Sequence, residues 1–558
     1  MPYSDRCAAS VPGATAPRRW RGLRVAALLA ESDPGARDWL ARACAGRASL
    51  HIAECGGARE DTFANSDVVA VPARDADCDA ALVAALASGC FPVLCDASPA
   101  REWITPGLNG IVVPPTHEGF RRALQWCATH LDDVRRAGRL NARLVAGDPA
   151  ARDALARGVV PTRFAFVTPE YAGESDARDG GLASYVRNAA RALVERGHEV
   201  EVFTSGRASG AIDDAGVRVH RVGEAISLRW VRALLRICRW LELRRAPAPL
   251  LAAVDALLLA RALAEREQSD PFDAVQSADQ HATGLFIAGR VRSLRPHLVR
   301  ASHDGRAVGA LNGEDPARRG WLDALERRCL RRADVAYAPS RRLARHYAER
   351  WNLPLRVARP PAPRLVARDP AREDALPKRF FIHFGQITPA KGSSDLAAAL
   401  PLVWEQEPDF EMVWAGVDRG QRLPAWRNAW GPRRGQVHWL GSLPRPDLHA
   451  IVARSDAAVL PTRFDNLPNT VIESLALGVP VIGTHGASIE ELVTPGRDGD
   501  LVPIGDPAAL AAAIVARWRA PRVRTARLPA ALDPAVAADA LLALAGLRDG
   551  PVMRHDDE

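Results

Sequence analysis

Short apolar runs alternate with longer amphipathic stretches along most of this 558-residue chain. RFAFVTPE at residues 163–170 predicts a buried strand, and LASYVRNAARALVERGHEVEVFTSG at 182–206 predicts a helix followed by another strand. RFFIHFGQITPAKG at 379–392 predicts the start of a second strand–helix–strand unit. Strands that alternate with helices form parallel sheets covered by helices. The pattern therefore predicts an α/β fold with two Rossmann-like domains.

Proline and charged residues replace this periodicity at residues 359–378, which predicts a linker. We place an N-terminal domain at 161–365 and a C-terminal domain at 378–545. The segments 1–21 and 546–558 are expected to be tails. At about 150 residues per domain, a chain of this length has room for a third domain before residue 161.

The region before residue 161 contains a weaker copy of a later pattern. TPGLNGIVVP at 105–114 aligns with TPGRDGDLVP at 494–503, an offset of 389 residues. LRVAALLA, near the N-terminus, can be placed opposite FEMVWAGV at 410–417. The sequence therefore predicts that residues 22–150 form a degenerate, partial Rossmann-like domain whose first strand is missing. Its uncovered sheet edge or apolar face would serve packing, self-association or partner binding.

Composition narrows the classes of partner. Hydrophobic residues make up 47% and charged residues 25% of the chain, the balance of a folded globular protein. The net charge of +8 favours anionic partners such as phosphorylated small molecules or anionic lipid. Nucleic acid is disfavoured because the arginines are scattered along predicted helices, without zinc-finger spacing or an RNA-recognition signature.

The cysteines and apolar segments bear on the compartment. Nine cysteines form no CxxC pair, which is typical of reduced thiols in a cytosolic protein. The N-terminus has no apolar region of the kind found in signal peptides. LLAAVDALLLA at 250–260 is interrupted by Asp255 and is too short to span a bilayer. We therefore expect a cytoplasmic protein, soluble or peripheral on the inner face of the membrane.

Residues 227–245 predict a basic amphipathic helix suited to an anionic bilayer surface. Trp230 and Trp240 lie at its flanks. The apolar arc comprises Val231, Leu234, Leu235, Cys238 and Leu241. The opposite arc carries Arg229, Arg232, Arg236 and Arg239. The alternative is that this helix simply packs on its own domain.

Two acidic residues mark the candidate chemistry. In FDNLPNTVIE, Asp465 precedes a predicted helix and Glu473 lies in its first turns. Ligands of open α/β sheets bind at the carboxyl ends of the strands. Carboxylates at that edge repel phosphate but suit hydroxyl groups, so sugar or ribose is the sensible partner. The alternative is that Asp465 caps the helix and Glu473 is solvated.

The whole stretch PTRFDNLPNTVIESLALGVPVIGTHGASIEELVTPGRDGDLVP at 461–503 resembles the donor-binding signature of retaining, nucleotide-sugar-dependent glycosyltransferases of the GT-B architecture, family four. The resemblance implies that Glu473 hydrogen-bonds the ribose of the donor. It implies that Asp465 and the backbone N–H groups of Asn466 and Leu467 hold the sugar. Aspartate stands where the family usually has the longer glutamate. In the N-terminal copy, alanines at 76 and 84 stand opposite Asp465 and Glu473.

FGQITPAKG at 384–392 resembles the family's basic loop G-R-x-x-x-x-K-G, which binds the donor diphosphate. The resemblance implies that Gly385 and Lys391 belong to the donor site. Gln386 stands where the family usually has arginine, which removes a bidentate phosphate fork. Arg463, from the nearby loop, is our candidate to replace it.

Two further positions follow from the same resemblance. Gly180 and Gly181, in DGGLASYV, resemble the family's N-terminal glycine loop, where backbone approaches donor phosphates or acceptor. His303 follows the strand-like run HLVRAS, and in the family a histidine there lies beside the donor sugar and acceptor. Glycines before a helix also occur in ordinary turns, and a single histidine is often a surface residue.

The resemblance implies a hexosyltransferase that moves sugar to a glycan or lipid-linked acceptor with retention of configuration, in cell-envelope or exopolysaccharide synthesis. His303, Lys391 and Asp465 are the expected catalytic residues, and no cofactor or metal is expected because the nucleotide sugar is a substrate. Two alternatives stay open: a non-catalytic nucleotide-sugar or glycan-binding scaffold, and a GT-B sugar-nucleotide epimerase. An NAD-dependent enzyme is less favoured, since no GxGxxG follows the strands at 163 or 379.

Overall fold

The computed structural model describes most of the chain. The described residues are 23–29, 34–44, 48–54, 63–72, 78–172, 180–206, 209–241, 247–287, 295–302, 304–313, 320–365, 376–418, 420–522, 524 and 526–547. The tail expected at 1–21 lies outside them, and so do residues 548–558. Contacts divide the chain into two compact units, the second of which holds Phe164–Val194 and Val200–Gly546.

The first unit contains a five-stranded sheet with the order β2-β1-β3-β4-β5, in which every neighbouring pair is parallel. Its strands are β1 (Arg24–Leu29), β2 (Ser49–Glu54), β3 (Val68–Val71), β4 (Phe91–Cys95) and β5 (Ile111–Val113). Its helices are α1 (Pro34–Cys44), α2 (Asp79–Ala87), α3 (His117–Thr129), α4 (Leu131–Val145) and α5 (Pro149–Ala156).

The second unit begins with an eight-stranded sheet of order β13-β12-β11-β10-β6-β7-β9-β8. Its strands are β6 (Arg163–Thr168), β7 (Glu199–Gly206), β8 (Gly210–Asp214), β9 (Val217–Gly223), β10 (Ala274–Ala278), β11 (His297–Arg300), β12 (Val335–Ala338) and β13 (Arg356–Val357). Its helices are α6 (Gly181–Glu195), α7 (Arg229–Trp240), α8 (Pro247–Glu267), α9 (Gly305–Leu311), α10 (Gly320–Arg331) and α11 (Arg341–Trp351).

A six-stranded parallel sheet of order β16-β15-β14-β17-β18-β19 completes the second unit. Its strands are β14 (Phe381–Phe384), β15 (Met412–Ala415), β16 (Val437–Trp439), β17 (Ala457–Leu460), β18 (Val481–Thr484) and β19 (Gly499–Val502). Its helices are α12 (Ser393–Gln406), α13 (Leu423–Ala429), α14 (Arg445–Arg454), α15 (Asn469–Ala476), α16 (Pro507–Arg519) and α17 (Pro534–Leu544).

Both faces of this third sheet are covered, as the continuous apolar runs require. Phe381 and Ile382 are neighbours on β14 and are both fully buried, yet they belong to separate hydrophobic clusters. Side chains that alternate along a strand point to opposite faces, so the two clusters lie on opposite sides of the sheet. The predicted α/β fold with parallel sheets is confirmed.

The turn before β5 has the same hydrogen bonding as the turn before β19. Thr105 N–H donates to Asn109 Oδ1 at 2.7 Å, and Thr494 N–H donates to Asp498 Oδ2 at 3.0 Å. Isolated bridges join Pro106 to Gly110 and Pro495 to Gly499. Each residue of the first turn lies 389 residues before its counterpart in the second turn, which is the offset found in the sequence. The turn geometry is therefore repeated along with the residues that form it.

The expectation that the first strand is missing from residues 22–150 is wrong. β1 lies beside β3 with Val25 opposite Val68, just as β14 lies beside β17 with Phe381 opposite Ala457. The placement of LRVAALLA opposite FEMVWAGV is wrong for the same reason, because the second run forms β15, which lies one strand further out. Among the described strands, β16, at the edge of the six-stranded sheet, has no counterpart in the five-stranded sheet.

Two expectations about cysteines and apolar helices also change. Cys78 is disulfide-bonded, so the expectation of nine reduced thiols fails there. α8 is long and apolar enough to cross a membrane by length and composition alone, in spite of Asp255. A buried core helix passes the same test. Leu259 and Leu263 of α8 are buried in one cluster with Val275 of β10.

The last described helix returns to the first half of the second unit. Leu532, just before α17, accepts a hydrogen bond at 2.8 Å from the N–H of Ala362. Ala537 and Leu541 of α17 line a small cavity together with Tyr185 of α6 and Tyr337 of β12. The second half of this unit therefore covers part of the first.

Candidate functional site

Two glycines with positive φ determine the conformation of the loop after β14. Gly385 has φ +113° and Gly392 has φ +71°, a backbone region that residues with a Cβ rarely adopt. A Cβ on Gly392 would lie 1.8 Å from the carbonyl oxygen of Pro461. The loop that carries Lys391 therefore packs closely on the loop after β17. These are carboxyl ends of neighbouring parallel strands, where ligands of such sheets bind.

Lys391 and Asp465 meet at this edge. The Nζ of Lys391 donates a hydrogen bond to Oδ2 of Asp465, and the N–H of Asn466 donates to Oδ1 of Asp465 at 2.8 Å. Both charged side chains are partly exposed. The structure thus brings together two side chains that are 74 residues apart in the sequence.

The backbone after Asp465 is held in an unusual conformation. Leu467 has φ +88°, and it is buried in a hydrophobic cluster. Ser488, with φ +63°, donates from its hydroxyl to the carbonyl oxygen of Asp465 at 3.2 Å. Strained conformations of non-glycine residues persist only where the surroundings impose them, and they concentrate at ligand-binding sites. The loop of Asn466 and Leu467 is therefore a fixed element of the site.

A buried histidine at the base of the site connects β14 with β17 and α12. Nδ1 of His383, on β14, is 2.8 Å from the carbonyl oxygen of Val459, and its Nε2 is 3.0 Å from the hydroxyl of Ser393. Because only an N–H can pair with the carbonyl, the Nδ1–H tautomer fits this arrangement. Burial lowers the pKa of His383 to about 4, so the ring is neutral at pH 7.

Arg463 lies near the basic loop, but its guanidinium is already engaged. Its Nε donates to Oδ2 of Asp395 at 2.7 Å, and its Nη2 donates to the other carboxylate oxygen. The hydrogen bond to Asp395 raises the pKa of Arg463. Gln386 is exposed at the surface of the site. The guanidinium of Arg463 is thus bound to Asp395 of α12 by two of its nitrogens, and it is not directed at a ligand.

Glu473 is buried and paired with an arginine that the sequence did not single out. Nη1 of Arg445 donates to Oε1 of Glu473 at 2.6 Å, and Nη2 of Arg445 donates to the hydroxyl of Ser184 at 2.7 Å. Glu473 is 4% exposed. One sequence offered no signal for this pair, because the contact arises from the packing of α14 beside α15. Arg445 is thus a functional candidate that sequence reasoning missed.

The glycine pair at the start of α6 faces the same helix. The side-chain amide of Asn469, the first residue of α15, donates to the carbonyl oxygen of Gly181 at 3.4 Å. A Cβ on Gly180 would lie 2.5 Å from a carboxylate oxygen of Glu170. Gly180 and Gly181 are therefore close to the segment that carries Glu473, so both halves of the second unit contribute to one site.

His303 lies outside the described residues, so its predicted position beside the donor stays a prediction. Its neighbour Asp304 caps α9 by accepting hydrogen bonds from the N–H groups of Arg306 and Ala307. Its other oxygen is 2.8 Å from Nε2 of His346. Burial opposes ionisation of Asp304, but the hydrogen bond from His346 outweighs it and leaves the pKa below its usual value.

No three His, Cys, Asp or Glu side chains within the described ranges come together in a group that could hold a metal ion. The predicted absence of a metal requirement therefore remains a prediction. The chemistry that the described residues offer is two cations, at Lys391 and Arg445, two carboxylates, at Asp465 and Glu473, and backbone N–H groups at the ends of helices and strands.

Two family models match this part of the chain. A model for glycosyl transferases group 1 matches residues 378–519, and a model for the glycosyl transferase 4-like domain matches residues 180–362. The first match contains Lys391, Asp465 and Glu473, and the second contains Gly180 and Gly181.

Individual relatives share less than a third of their residues with this chain over the aligned regions given below. The chain is 27% identical to glycogen synthase of Mycobacterium tuberculosis over 141 residues, which are 24% of this chain and 32% of the relative. The chain thus spans about a third of the length of the first curated relatives it matches. It is 23% identical to phosphatidyl-myo-inositol mannosyltransferase of Mycolicibacterium smegmatis over 60% of this chain and 80% of the relative. A solved structure described as trehalose-6-phosphate from E. coli bound with UDP-2-fluoro glucose has a TM-score of 0.51 and 13% identity, over 70% of this chain and 100% of that chain.

Proposed function

We propose that this chain, in which residues 180–519 carry the two domains of a GT-B glycosyltransferase, moves a sugar from a nucleoside diphosphate sugar to a glycan or lipid-linked acceptor with retention of configuration. The observation that carries the proposal is the convergence of Gly181, Lys391, Asp465 and Glu473. These residues come from both halves of the second unit, and they lie in the regions that the two family models match.

Each residue has a role that suits its environment. Glu473 is a buried carboxylate, which can accept hydrogen bonds from the hydroxyls of the donor ribose. Asp465, with the N–H groups of Asn466 and Leu467 beside it, holds the sugar. Lys391 stabilises the diphosphate as its negative charge grows during departure. The observed pairing of Lys391 with Asp465 keeps the cation in the site before a donor arrives.

Catalysis by positioning and electrostatics fits these groups. The proposal requires no covalent enzyme intermediate. The acceptor hydroxyl attacks the anomeric carbon on the face from which the diphosphate leaves, and its proton passes to the departing phosphate. Holding both reactants in this geometry supplies a large part of the rate enhancement. His303 is proposed to lie by the sugar and acceptor.

Two observations support a lipid-linked acceptor. One relative is named a phosphatidyl-myo-inositol mannosyltransferase. The second observation is α7, whose outer face is both apolar and basic. We therefore propose a cytoplasmic protein that is peripheral on the inner face of the membrane, within cell-envelope or exopolysaccharide synthesis.

The face of α7 that is open to a membrane differs from the arc expected from sequence. Val231 and Cys238 of the expected arc are buried against the domain, whereas Leu241 is exposed. Exposed apolar side chains instead include Trp230 and Trp240, the latter 82% exposed. Arg229, Arg232 and Arg236 form an exposed stripe beside them. Aromatic rings beside arginines suit the headgroup region of an anionic bilayer.

Residues 22–150 are proposed to be a degenerate copy of the C-terminal domain at 378–545, one that does not bind donor. The repeated turn supports a common origin for β3–β5 and β17–β19. The copy has alanines at the positions of Asp465 and Glu473, and AESD connects β1 to α1 without a lysine. We propose that it serves packing or self-association.

Release of nucleoside diphosphate tests the function. Purified protein is incubated with UDP-, GDP- and ADP-sugars, with and without cell-envelope extract. We expect acceptor-dependent release from one donor, with the anomeric configuration of the product, read by NMR, the same as that of the donor. Glu473→Ala should abolish release. Glu407→Ala, which removes a surface partner of Arg519 elsewhere in the same half, is the matched control.

The alternatives give different results. A nucleotide-binding scaffold would bind one of the nucleotides without turnover of any donor. An epimerase would convert the donor to its isomer without acceptor. Inversion of the anomeric configuration would contradict the proposed mechanism while leaving transfer itself intact.

A further inference from the structure

Arg445 connects the buried carboxylate of Glu473 with the helix that follows the glycine pair. Its Nη1 is 2.6 Å from Oε1 of Glu473, and its Nη2 is 2.7 Å from the hydroxyl of Ser184. That hydroxyl donates in turn to the carbonyl oxygen of Gly180 at 3.2 Å. The guanidinium is therefore one hydroxyl away from the turn of Gly180 and Gly181.

Basic groups of α14 face both oxygens of Glu473. His449 lies one turn after Arg445, and its Nε2 is 3.8 Å from Oε2 of Glu473, beyond hydrogen-bond distance. His449 is buried, and neither of its ring nitrogens has a hydrogen-bond partner among the described residues. A ribose hydroxyl that donates to Oε1 of Glu473 therefore competes with Arg445, the group that now holds that oxygen.

The competition matters because the loop after β14 lacks an arginine. Gln386 cannot form the two-pronged, charged contact that a guanidinium makes with phosphate. The fork of Arg463 is occupied by Asp395, whose carboxylate is buried and would lose its partner if Arg463 moved. Arg445 is more exposed than Glu473, with 39% of its side chain accessible, so its charge can rehydrate or move to a ligand.

We propose that Arg445 is a donor-binding residue: the ribose hydroxyls replace it on Glu473, and its guanidinium then binds the donor diphosphate beside Gly180 and Gly181. The inference rests on the proposed function, since it requires a nucleoside diphosphate donor. The N-terminal ends of α6 and α15, which meet at Gly181 and Asn469, favour a phosphate in the same place.

Calorimetric titration separates the diphosphate from the ribose. Wild type and Arg445→Gln are titrated with UDP, GDP and ADP and with uridine, guanosine and adenosine. For the nucleotide that wild type binds, we expect Arg445→Gln to weaken diphosphate binding by about 10- to 100-fold. Binding of the matching nucleoside should stay equal or become tighter, because Arg445 no longer competes for Glu473. Arg445→Lys keeps the charge without the fork and should fall between the two.

A matched control and a second variant keep the test decisive. Arg517→Gln removes a partly buried arginine that pairs with Asp500 away from the site, and it should leave both affinities unchanged. If Arg445→Gln does not fold because Glu473 is left buried and unpaired, the double variant Arg445→Gln/Glu473→Gln removes that charge. Compared with Glu473→Gln alone, the double variant should still lose diphosphate affinity about tenfold or more.

The outcomes distinguish this inference from the proposed function. If wild type binds none of the nucleotides, the proposed function fails. If wild type binds a diphosphate and Arg445→Gln binds it equally well, only the role of Arg445 is overturned. An equal loss for nucleoside and diphosphate would show that Arg445 merely supports the fold, which also overturns the inference.

Discussion

The ammonium group of Lys391 is paired with the carboxylate of Asp465, so the side chains assigned to the diphosphate and the sugar of the donor hold each other. A donor that binds between them exchanges this contact for two others. The pair therefore fixes the position of a cation without neutralising it permanently, because both groups are partly exposed and remain accessible to ligand.

Replacing Lys391 tests its role directly. Lys391→Gln should lower kcat with the proposed donor by about 10²- to 10³-fold, because a charge aimed at the departing diphosphate is lost. Lys378, the only other lysine in the sequence, is exposed outside the site and supplies the control Lys378→Gln. Equal activity of both variants would contradict the role.

The scarcity of lysine gives a second measurement on the same residue. Acetylation with an amine-reactive ester, read by peptide mass spectrometry, reports Lys391 and Lys378 separately. Bound nucleoside diphosphate should slow the acetylation of Lys391 several-fold and leave Lys378 unchanged. Equal protection of both lysines would point to a global effect on the protein instead of contact at the site.

Gly392 should tolerate no side chain. Gly392→Ala places a Cβ 1.8 Å from a backbone oxygen at a left-handed φ, so we expect a loss of about 3 kcal/mol or more in the free energy of unfolding. Gly496→Ala is the matched control, because Gly496 has φ +80° and open space around its Cβ position. It should cost about 1 kcal/mol. Chemical denaturation measures both, and equal costs would contradict the close contact.

His383 should make stability fall in mild acid. Its pKa is about 4 in the folded protein and near 6.5 in the unfolded chain, so below pH 6.5 the unfolded state binds a proton that the folded state does not. Its contribution is fully present above pH 6.5 and is lost as the pH falls towards 4. Between pH 7 and pH 5, wild type should therefore lose about 1 to 2 kcal/mol more stability than His383→Gln. Urea unfolding of both proteins at the two pH values measures this difference.

The exposed face of α7 should bind anionic vesicles. Wild type should co-sediment with vesicles of phosphatidylcholine and phosphatidylglycerol more strongly than with phosphatidylcholine alone. Arg232→Gln/Arg236→Gln should weaken that binding about tenfold or more, and Trp230→Gln should weaken binding to both kinds of vesicle. Arg261→Gln, on exposed α8 surface, is the control. Unchanged binding by the double variant would show that α7 does not contact the membrane.

Sequence reasoning grouped the candidate site residues correctly in space wherever they lie in one continuous stretch. Asp465, Asn466, Leu467 and Glu473 belong to a single strand–loop–helix segment, whose apolar periodicity and loop residues are visible in the sequence. The parallel sheets were predictable for the same reason, because strands buried on both faces are continuous apolar runs.

The rest depends on packing between segments that are distant in sequence. Arg445 reaches Glu473 only because α14 lies beside α15, and Arg463 is diverted to Asp395 by the position of α12. The position of β1 in its sheet was predicted wrongly because an apolar run does not indicate which strand will lie beside it. Pairing partners are chosen by the order of strands, which periodicity alone does not reveal.

The return of α17 to the first half of the second unit also sets an order of events during synthesis. Tyr185 and Tyr337 form a cavity wall with Ala537 and Leu541, which are translated some 200 residues after the second tyrosine. At a typical rate of about 5 to 20 residues per second, that interval lasts roughly 10 to 40 seconds. Throughout it, the surface that α17 will cover stands open on the nascent chain. Chaperones thus have this interval in which to act on the first half of the second unit, before its second half is complete.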